Sequence, residues 1–473
     1  MRKTKIICTL GPAVDTDCMV KELILSGMDC ARLNFSHGTH EEQKVRMDRV
    51  KRIRQELGKY TPILLDTKGP EIRLKDFKDG SVMVEKGKEI VLRADSTIIG
   101  DETQIGLTFP YLADNVKEGN TILVDDGKVN MTVVRIDGPD VVCCINNDGK
   151  LSNHKSINIP GVIIDMPYIN DVDKSDILFG IEQDVDYIAA SFVRTADDVR
   201  QLRQLLDENG GENIKIISKI ENQSGIDNLD EIILLSDGIM VARGDMGVEV
   251  PFIKLPSIQK EMIKKCRDAG KIVITATQML ESMTTNIRPT RAEVSDVANS
   301  IYDGTTVIML SGESAAGRYP IESVKTMANI AVETESTIDY HKRFTVSGAD
   351  NVCENFPDAI AFAAVAAAHG MDAKAVVCMS KSGLTVSMLA RYDMSAPIIA
   401  AVCDEKAVRQ LNLVSNVIPY HVNEVADTDK LFGLGIDIAK KSGMVKPQDV
   451  IVITGSAAVG DPGTDVMKLH RME

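Results

Sequence analysis

The sequence predicts an α/β protein: a (β/α)8 TIM barrel with an inserted β-barrel lid domain and a C-terminal open-sheet α/β domain. Three observations predict it. Eight short apolar runs alternate with amphipathic stretches over the first two-thirds of the chain. After the third run the pattern switches to strand-like segments with Gly and Asp turns. Beyond about Thr337 a shorter alternation begins anew.

The eight barrel strands are expected at Lys5–Thr9, Ala31–Phe35, Ile63–Thr67, Tyr187–Phe192, Ile214–Ile220, Gly238–Ala242, Ile272–Thr275 and Thr306–Leu310. Helical periodicity between them covers Glu41–Leu57, Asp197–Asn209, Pro256–Ala269, Arg291–Tyr302 and Ile321–Ser336. The interruption carries turns such as Val124-Asp-Asp-Gly127 and Asn147-Asp-Gly149, and shows no long helix. An insertion in a βα loop sits at the active face of a barrel, where it can act as a lid. In the last third, strands Ala375–Met379, Pro397–Val402 and Val450–Thr454 alternate with helices Asp358–His369, Thr385–Tyr392 and Thr428–Lys441. The expected domains are therefore 1–68 and 167–337 for the barrel, 69–166 for the lid and 338–473 for the C-terminal unit.

Composition narrows the function classes. The 473 residues, 44% hydrophobic and 26% charged, exceed what one core organises and fit two or three globular domains. A net charge of −15 argues against non-specific nucleic-acid binding, and 4% aromatics without Trp argue against base-stacking platforms. Nine scattered cysteines, with no Cys-x-x-Cys and one adjacent pair at Cys143-Cys144, fit reduced thiols. The N-terminus leads into too short an apolar stretch for a signal peptide, and the longest apolar helix, Ala359 to Ala368, is about half a membrane span. A soluble, cytoplasmic protein with no nucleic-acid or membrane partner is expected.

Polar residues gather where the predicted strands end, at the face that hosts barrel active sites. Arg32, Asn34 and Ser36 mark the second strand, and Asp66, Thr67 and Lys68 end the third, with Arg73 shortly after. Lys219 and Glu221 end the fifth, Asp245 follows the sixth, Thr277 the seventh, and Ser311 and Glu313 the eighth. Because residues i and i+2 of a strand share a side, Lys219 and Glu221 face one site, which Asp245 can also reach. One Lys–Glu pair at a strand end reads equally as a solvated ion pair. Six strand ends converging on cations, carboxylates and hydroxyls point instead to a metal-assisted site for phosphoryl chemistry.

Longer stretches carry a resemblance. Lys3-Thr-Lys-Ile-Ile-Cys-Thr-Leu-Gly-Pro12, Ala31-Arg-Leu-Asn-Phe-Ser-His-Gly-Thr-His40, Asp66-Thr-Lys-Gly-Pro-Glu-Ile-Arg73, Ile216-Ile-Ser-Lys-Ile-Glu-Asn222, Arg243-Gly-Asp245, Ala276-Thr-Gln-Met-Leu-Glu-Ser-Met283 and Arg288-Pro-Thr-Arg-Ala-Glu-Val-Ser-Asp-Val-Ala-Asn299 resemble pyruvate kinases, in order and along essentially the whole chain. That family transfers the phosphoryl group of phosphoenolpyruvate to ADP, giving ATP, and protonates the enolate to pyruvate.

The resemblance implies roles residue by residue. Glu221 and Asp245 would hold Mg²⁺ or Mn²⁺, and Lys219 would lie against the transferring phosphoryl. Arg73 would clamp phosphate, with Arg32 a second cation on the nucleotide side. Asn34, Ser36, Asp66 and the Thr67 carbonyl resemble the K⁺ site, and the acidic Glu71 matches members that need the ion, where a Lys elsewhere replaces it. Thr277 and Ser311 would carry the proton to the enolate. Backbone N–H groups at Gly244 and Asp245 would receive the substrate carboxylate. Pro12, Arg32, Asn34, His37, Arg73 and Lys155 would contact the nucleotide.

In the last domain Ser380-Lys-Ser-Gly-Leu-Thr385 places hydroxyls, a Gly and a Lys at a helix N-terminus, a nest for phosphate. Through Ser380, Lys381, Ser382 and Thr385 it resembles the family's effector pocket. The loop Gly455-Ser-Ala-Ala-Val-Gly-Asp-Pro-Gly463 carries Asp461 and no base. A monophosphate such as glucose 6-phosphate, ribose 5-phosphate or AMP is therefore expected there, not fructose 1,6-bisphosphate. Smaller departures from the family pattern are Ser224, Ser314 and Ser156. The phosphotransfer-like tail of some bacterial members is expected to be missing, and a homotetramer is implied. An aldolase-type barrel would need neither the lid nor Arg32, and a catalytically dead sensor would be expected to lack Lys219, a metal carboxylate or Thr277.

Overall fold

The computed structural model describes residues 1–348, 353, 355–423, 428–456 and 463–473. Eight parallel strands, Lys5–Thr9, Cys30–Asn34, Ile63–Asp66, Tyr187–Ala190, Lys215–Ile220, Gly238–Ala242, Ile272–Ala276 and Val307–Leu310, form a closed barrel. Each lies beside its neighbour in sequence, and the first closes on the eighth with Lys5 opposite Val307. The predicted strands and the closed topology are thus present, with ends displaced by a residue or two.

Alternation along these strands sorts the side chains into two sets. Ile6, Cys8, Leu33, Leu65, Ile188 and Ile216 pack outward with the surrounding helices. Ile7, Cys30, Leu64, Tyr187, Ala189 and Ile217 belong to a second core that fills the lumen. Two residues further along the same strands, the lumen set continues as Thr9, Arg32, Asp66, Ser191 and Lys219. The strand period therefore carries one column from apolar filling into polar chemistry.

The insertion forms a curled, mostly antiparallel seven-stranded sheet running Ile72–Arg73, Ser156–Asn158, Thr121–Val124, Val129–Asp137, Asp140–Ile145, Glu89–Arg93, Gln104–Gly106, beside a ribbon of Ser81–Val84 with Gly149–Ser152. It has its own core, including Leu74, Ile90, Ile122, Met131 and Val141. One anchor to the barrel joins the Asn158 amide to Glu249 Oε1 at 2.9 Å.

The C-terminal sheet runs Val417–His421, Ile398–Val402, Ala375–Ser380, Val450–Gly455, Val466–Arg471, the last strand antiparallel. Its two outer strands were not anticipated. Pro419 and the polar alternation of Val466–Arg471 obscure them, and both features suit sheet edges. This domain packs on the barrel floor, where Tyr187 Oη donates to the Gln410 carbonyl at 2.7 Å and Lys5 Nζ to the Val417 carbonyl at 2.8 Å.

Candidate active site

Lys219 is the hub of the polar end of the lumen. Its ammonium donates to Ser191 Oγ at 2.7 Å and Asp66 Oδ1 at 3.1 Å, and lies 3.0 Å from Glu221 Oε1. The other Asp66 oxygen accepts from Arg32 Nε at 2.6 Å, and Arg32 also donates to Thr9 Oγ1 at 2.8 Å. Burial opposes charge on Asp66, but Arg32 and Lys219 outweigh it and hold the carboxyl below its ordinary range. Burial likewise opposes charge on Lys219, yet Asp66, Glu221 and Asp245 hold its ammonium above the ordinary lysine range.

Glu221 is the unsatisfied member. Burial, with repulsion from Asp245 and Asp66, pushes its carboxyl up to about 8 against the pull of Lys219. Oε2 accepts the Phe192 N–H at 2.6 Å, whereas buried Oε1 has no aligned hydrogen-bond donor. Three carboxylates, Asp66, Glu221 and Asp245, thus act on the Lys219 ammonium, with Arg32 as the second cation beside it. A carboxylate so placed calls for a further cation, and hard oxygens of this kind suit Mg²⁺ or Mn²⁺. Glu221 and Asp245 are carboxylates that could hold such an ion together with substrate oxygens; among the described residues no group of three or more acidic, His or Cys side chains has metal-binding geometry.

A cavity of about 320 Å³ opens beside this hub, between lid and barrel, lined by Glu71, Asn158, Phe192, Asn222, Asp245 and Glu249 among others. The four residues expected around K⁺ all offer hard oxygens. Asn34 and Asp66 are register partners on adjacent strands, the Thr67 carbonyl accepts from Ser191 Oγ at 2.6 Å, and Asn34 Oδ1 accepts the Ser36 N–H at 3.1 Å.

Thr277 is held in an unusual backbone, φ +73°, which is costly for a β-branched residue. Arg243 secures it: Nη2 donates to the Thr277 carbonyl at 2.7 Å, Nε reaches the Ala276 and Thr277 carbonyls at 3.2 Å, and the guanidinium pairs with Asp296 at 2.7 Å. Gly244 leaves the room, since a Cβ there would meet Thr277 Cγ2 at 2.7 Å. Buried Glu313 links the loops after the seventh and eighth strands, accepting the Leu280 N–H at 3.0 Å and the Ser311 N–H at 2.8 Å.

Comparisons with known proteins identify the family. The family model described as pyruvate kinase, barrel domain, matches residues 1–324, and that described as pyruvate kinase, alpha/beta domain, matches 358–470. The chain belongs to the pyruvate kinase family. It is 46% identical to a pyruvate kinase of Clostridium acetobutylicum over 100% of both chains. It is 48% identical to one of Staphylococcus haemolyticus over 99% of this chain and 80% of the relative. A crystal structure of a pyruvate kinase from Cryptosporidium parvum superposes with a TM-score of 0.95 at 36% identity, covering 100% of this chain and 96% of that one. Pyruvate kinases are phosphotransferases, and this chain is an enzyme of that class.

Other residues expected from the pyruvate kinase resemblance lie apart from the hub. Arg73 turns to Glu71 Oε2, at 2.8 and 2.5 Å, and to the His154 carbonyl at 2.7 Å, so Glu71 is engaged by Arg73. Lys155 pairs with Asp125 at 2.9 Å within the lid. Pro12 opens a short turn of helix, and Pro12 and His37 are both exposed at the barrel mouth.

In the C-terminal domain Ser380 Oγ accepts the Gly383 N–H at 3.0 Å, Gly383 has φ +83°, and Lys381 and Ser382 are exposed. Thr385 is buried and shares a 2.7 Å hydrogen bond with Thr464. Residues 457–462, Asp461 among them, lie outside the described residues.

Ser191 and Thr9 were not among the site residues expected from the sequence. The signal was the one used elsewhere, a hydroxyl two residues beyond a lumen position, at the ends of the fourth and first strands. Arg243 stood in the sequence only as part of a motif, and the structure gives it a task of its own at Thr277.

Proposed function

We propose that this protein transfers the phosphoryl group of phosphoenolpyruvate to ADP, giving ATP and pyruvate, with Mg²⁺ or Mn²⁺ and K⁺ required. The observation that carries this reading is the Lys219 ammonium, fixed among Asp66, Ser191 and Glu221 at the mouth of the barrel. A fixed cation there meets charge that spreads over phosphoryl oxygens during transfer, with no reorganisation at the moment of reaction. A divalent ion on Glu221 and Asp245 would supply further charge neutralisation for the substrate's oxygens. K⁺ would occupy the oxygens of Asn34, Ser36, Asp66 and Thr67.

The chain's own groups divide the remaining work. Arg73 grips phosphate from the lid side after exchanging Glu71, and Arg32 faces the nucleotide with Pro12, Asn34, His37 and Lys155. N–H groups of Gly244 and Asp245 receive the substrate carboxylate. The Thr277 hydroxyl, held in place by Arg243, hands a proton to the enolate through water, with Ser311 alongside.

Regulation is part of the proposal. A phosphorylated effector, a sugar monophosphate or AMP, binds the turn at Ser380, Lys381, Ser382 and Thr385, in a cytoplasmic homotetramer. The glycine turn and its exposed Lys381 support this. Thr385 must give up Thr464 to take part.

The test is a coupled assay of pyruvate formation from phosphoenolpyruvate and ADP with Mg²⁺. K⁺ is compared with Na⁺, and each monophosphate and fructose 1,6-bisphosphate is added separately. ADP-dependent turnover that rises with K⁺ and with a monophosphate is expected. No turnover from folded protein overturns the activity, and strong bisphosphate activation abolished by Lys381→Glu overturns the effector assignment.

A further inference from the structure

At the opposite end of the barrel from Lys219, the floor and the C-terminal domain line a second, partly open cavity of about 100 Å³. Its walls hold six cationic side chains, Lys3, Lys215, Arg267, Lys271, Arg343 and Arg391, against two carboxylates, Asp237 and Asp393. That balance runs against a chain whose net charge is −15. Asp393 is already paired with Arg267. Asp237 spends one oxygen on the Ile216 N–H at 2.9 Å.

Most of the cations are engaged. Lys271 donates to the Ser236 carbonyl at 2.8 Å, Lys3 to the Ser395 carbonyl at 2.6 Å, Arg343 to the Tyr302 carbonyl at 2.7 Å and Arg391 to Tyr392 Oη at 2.7 Å. Lys215 is different. It opens the fifth barrel strand, is half-buried where the cavity meets the open cleft beside Lys381, and its ammonium has no hydrogen-bond or ion-pair partner within reach among the described residues. Burial, with Lys271 adding repulsion, lowers its affinity for the proton, and Asp237 only partly offsets this. An ammonium partly withdrawn from water, with no side chain to pair it and five further cations around it, favours an anion beside it. Two glycines shape the pocket: a Cβ at Gly304 would strike the Arg267 side chain at 2.4 Å, and one at Gly270 would crowd Arg391 at 3.3 Å.

We propose that this cavity binds a small oxyanion, a phosphate or a short carboxylate, on the Lys215 ammonium, and that the ligand bridges the barrel floor and the C-terminal domain. The volume admits inorganic phosphate or a carboxylate of three or four carbons, and not a nucleotide. The site is separate from the Lys219 hub; Lys215 and Asp237 also line an open cleft that reaches Lys381 and Ser382, so a Lys381→Ala control is needed to tell the two places apart.

The test is calorimetry on the full chain with inorganic phosphate and, separately, propionate, each against wild type, Lys215→Met, Lys219→Met and Lys381→Ala. Both Lys219→Met and Lys381→Ala control for anions taken up at the other two places. Binding that survives those two changes and weakens at least tenfold in Lys215→Met is expected. Phosphate alone, or propionate alone, behaving so identifies the kind of oxyanion. Should Lys215→Met not fold, the wild-type protein answers the question: the anion should slow acetylation of Lys215, read by peptide mass spectrometry, and leave exposed Lys264 unchanged. Equal binding in wild type and Lys215→Met, or no protection of Lys215 by either anion, overturns the proposal.

Discussion

Ser191 Oγ accepts from the Lys219 ammonium at 2.7 Å while donating its own proton to the Thr67 carbonyl at 2.6 Å. The ammonium is thereby aimed by a hydroxyl whose direction is itself fixed. Ser191→Ala should lower kcat about tenfold, the worth of one hydrogen bond to a charged group, with little change in KM for ADP. Steady-state kinetics of the variant decide it; an unchanged kcat would show that Asp66 and Glu221 alone position Lys219.

Thr277 combines a strained backbone with a hydroxyl, so its two properties can be separated. Thr277→Val keeps the shape and removes the proton carrier. It should slow protonation of the enolate by about 10²-fold or more and phosphoryl transfer far less. Following both half-reactions separately checks this, and equal loss of the two would remove Thr277 from the proton path.

Glu71 faces Arg73 across 2.5 Å and lines the cleft between lid and barrel. A lysine there would put a fixed positive charge where the proposed K⁺ would supply one. Glu71→Lys should bring the ratio of activity in K⁺ to activity in Na⁺ close to one, and a ratio unchanged from wild type would take Glu71 out of the ion's surroundings.

On the barrel floor Asp186 is fully buried, bound by Arg409 Nε at 2.7 Å and by the Ile63 N–H at 2.8 Å. Burial raises its carboxyl above the ordinary range even with Arg409 and Arg54 in place. Arg409→Met should cost on the order of 3 kcal/mol at neutral pH by stranding that charge. The folded state of the variant then binds a proton more readily than the unfolded chain, so its stability falls as pH rises from the unfolded carboxyl's pKa through the raised folded one. The drop in thermal midpoint against wild type should be smaller at pH 5 than at pH 7; a deficit independent of pH would show that packing, not the stranded carboxylate, is what Arg409 supplies.

How much of this was legible in the sequence follows from which forces leave a local trace. The strand period of two is local, so Lys219, Glu221 and the strands beneath them could be placed from their own neighbours. Asp245 was legible because it follows directly on a strand. Ser191 was not, because Ala189-Ala-Ser191 bears no charge to draw notice and its importance comes from Thr67 and Lys219, far away in the chain. Arg73 is drawn away from the hub by Glu71 two residues earlier and by the His154 carbonyl of the lid, and the second of these partners lies far along the chain. The edge strands Val417–His421 and Val466–Arg471 escaped for a different reason: half-solvated edges lack the continuous apolar run that marks buried parallel strands. The cationic cavity under the barrel draws Lys3, Lys215, Lys271 and Arg391 from four distant segments, and no window of sequence contains it.

The central claim is that the Lys219 ammonium does the electrostatic work of phosphoryl transfer. The most direct measurement is pyruvate formation from phosphoenolpyruvate and ADP by Lys219→Met, beside circular dichroism and a thermal midpoint that report its fold. The account predicts a loss of about 10³-fold or more in kcat from a folded protein, the scale of removing a preorganised charge at a transition state. A folded Lys219→Met that keeps kcat within tenfold of wild type would contradict it.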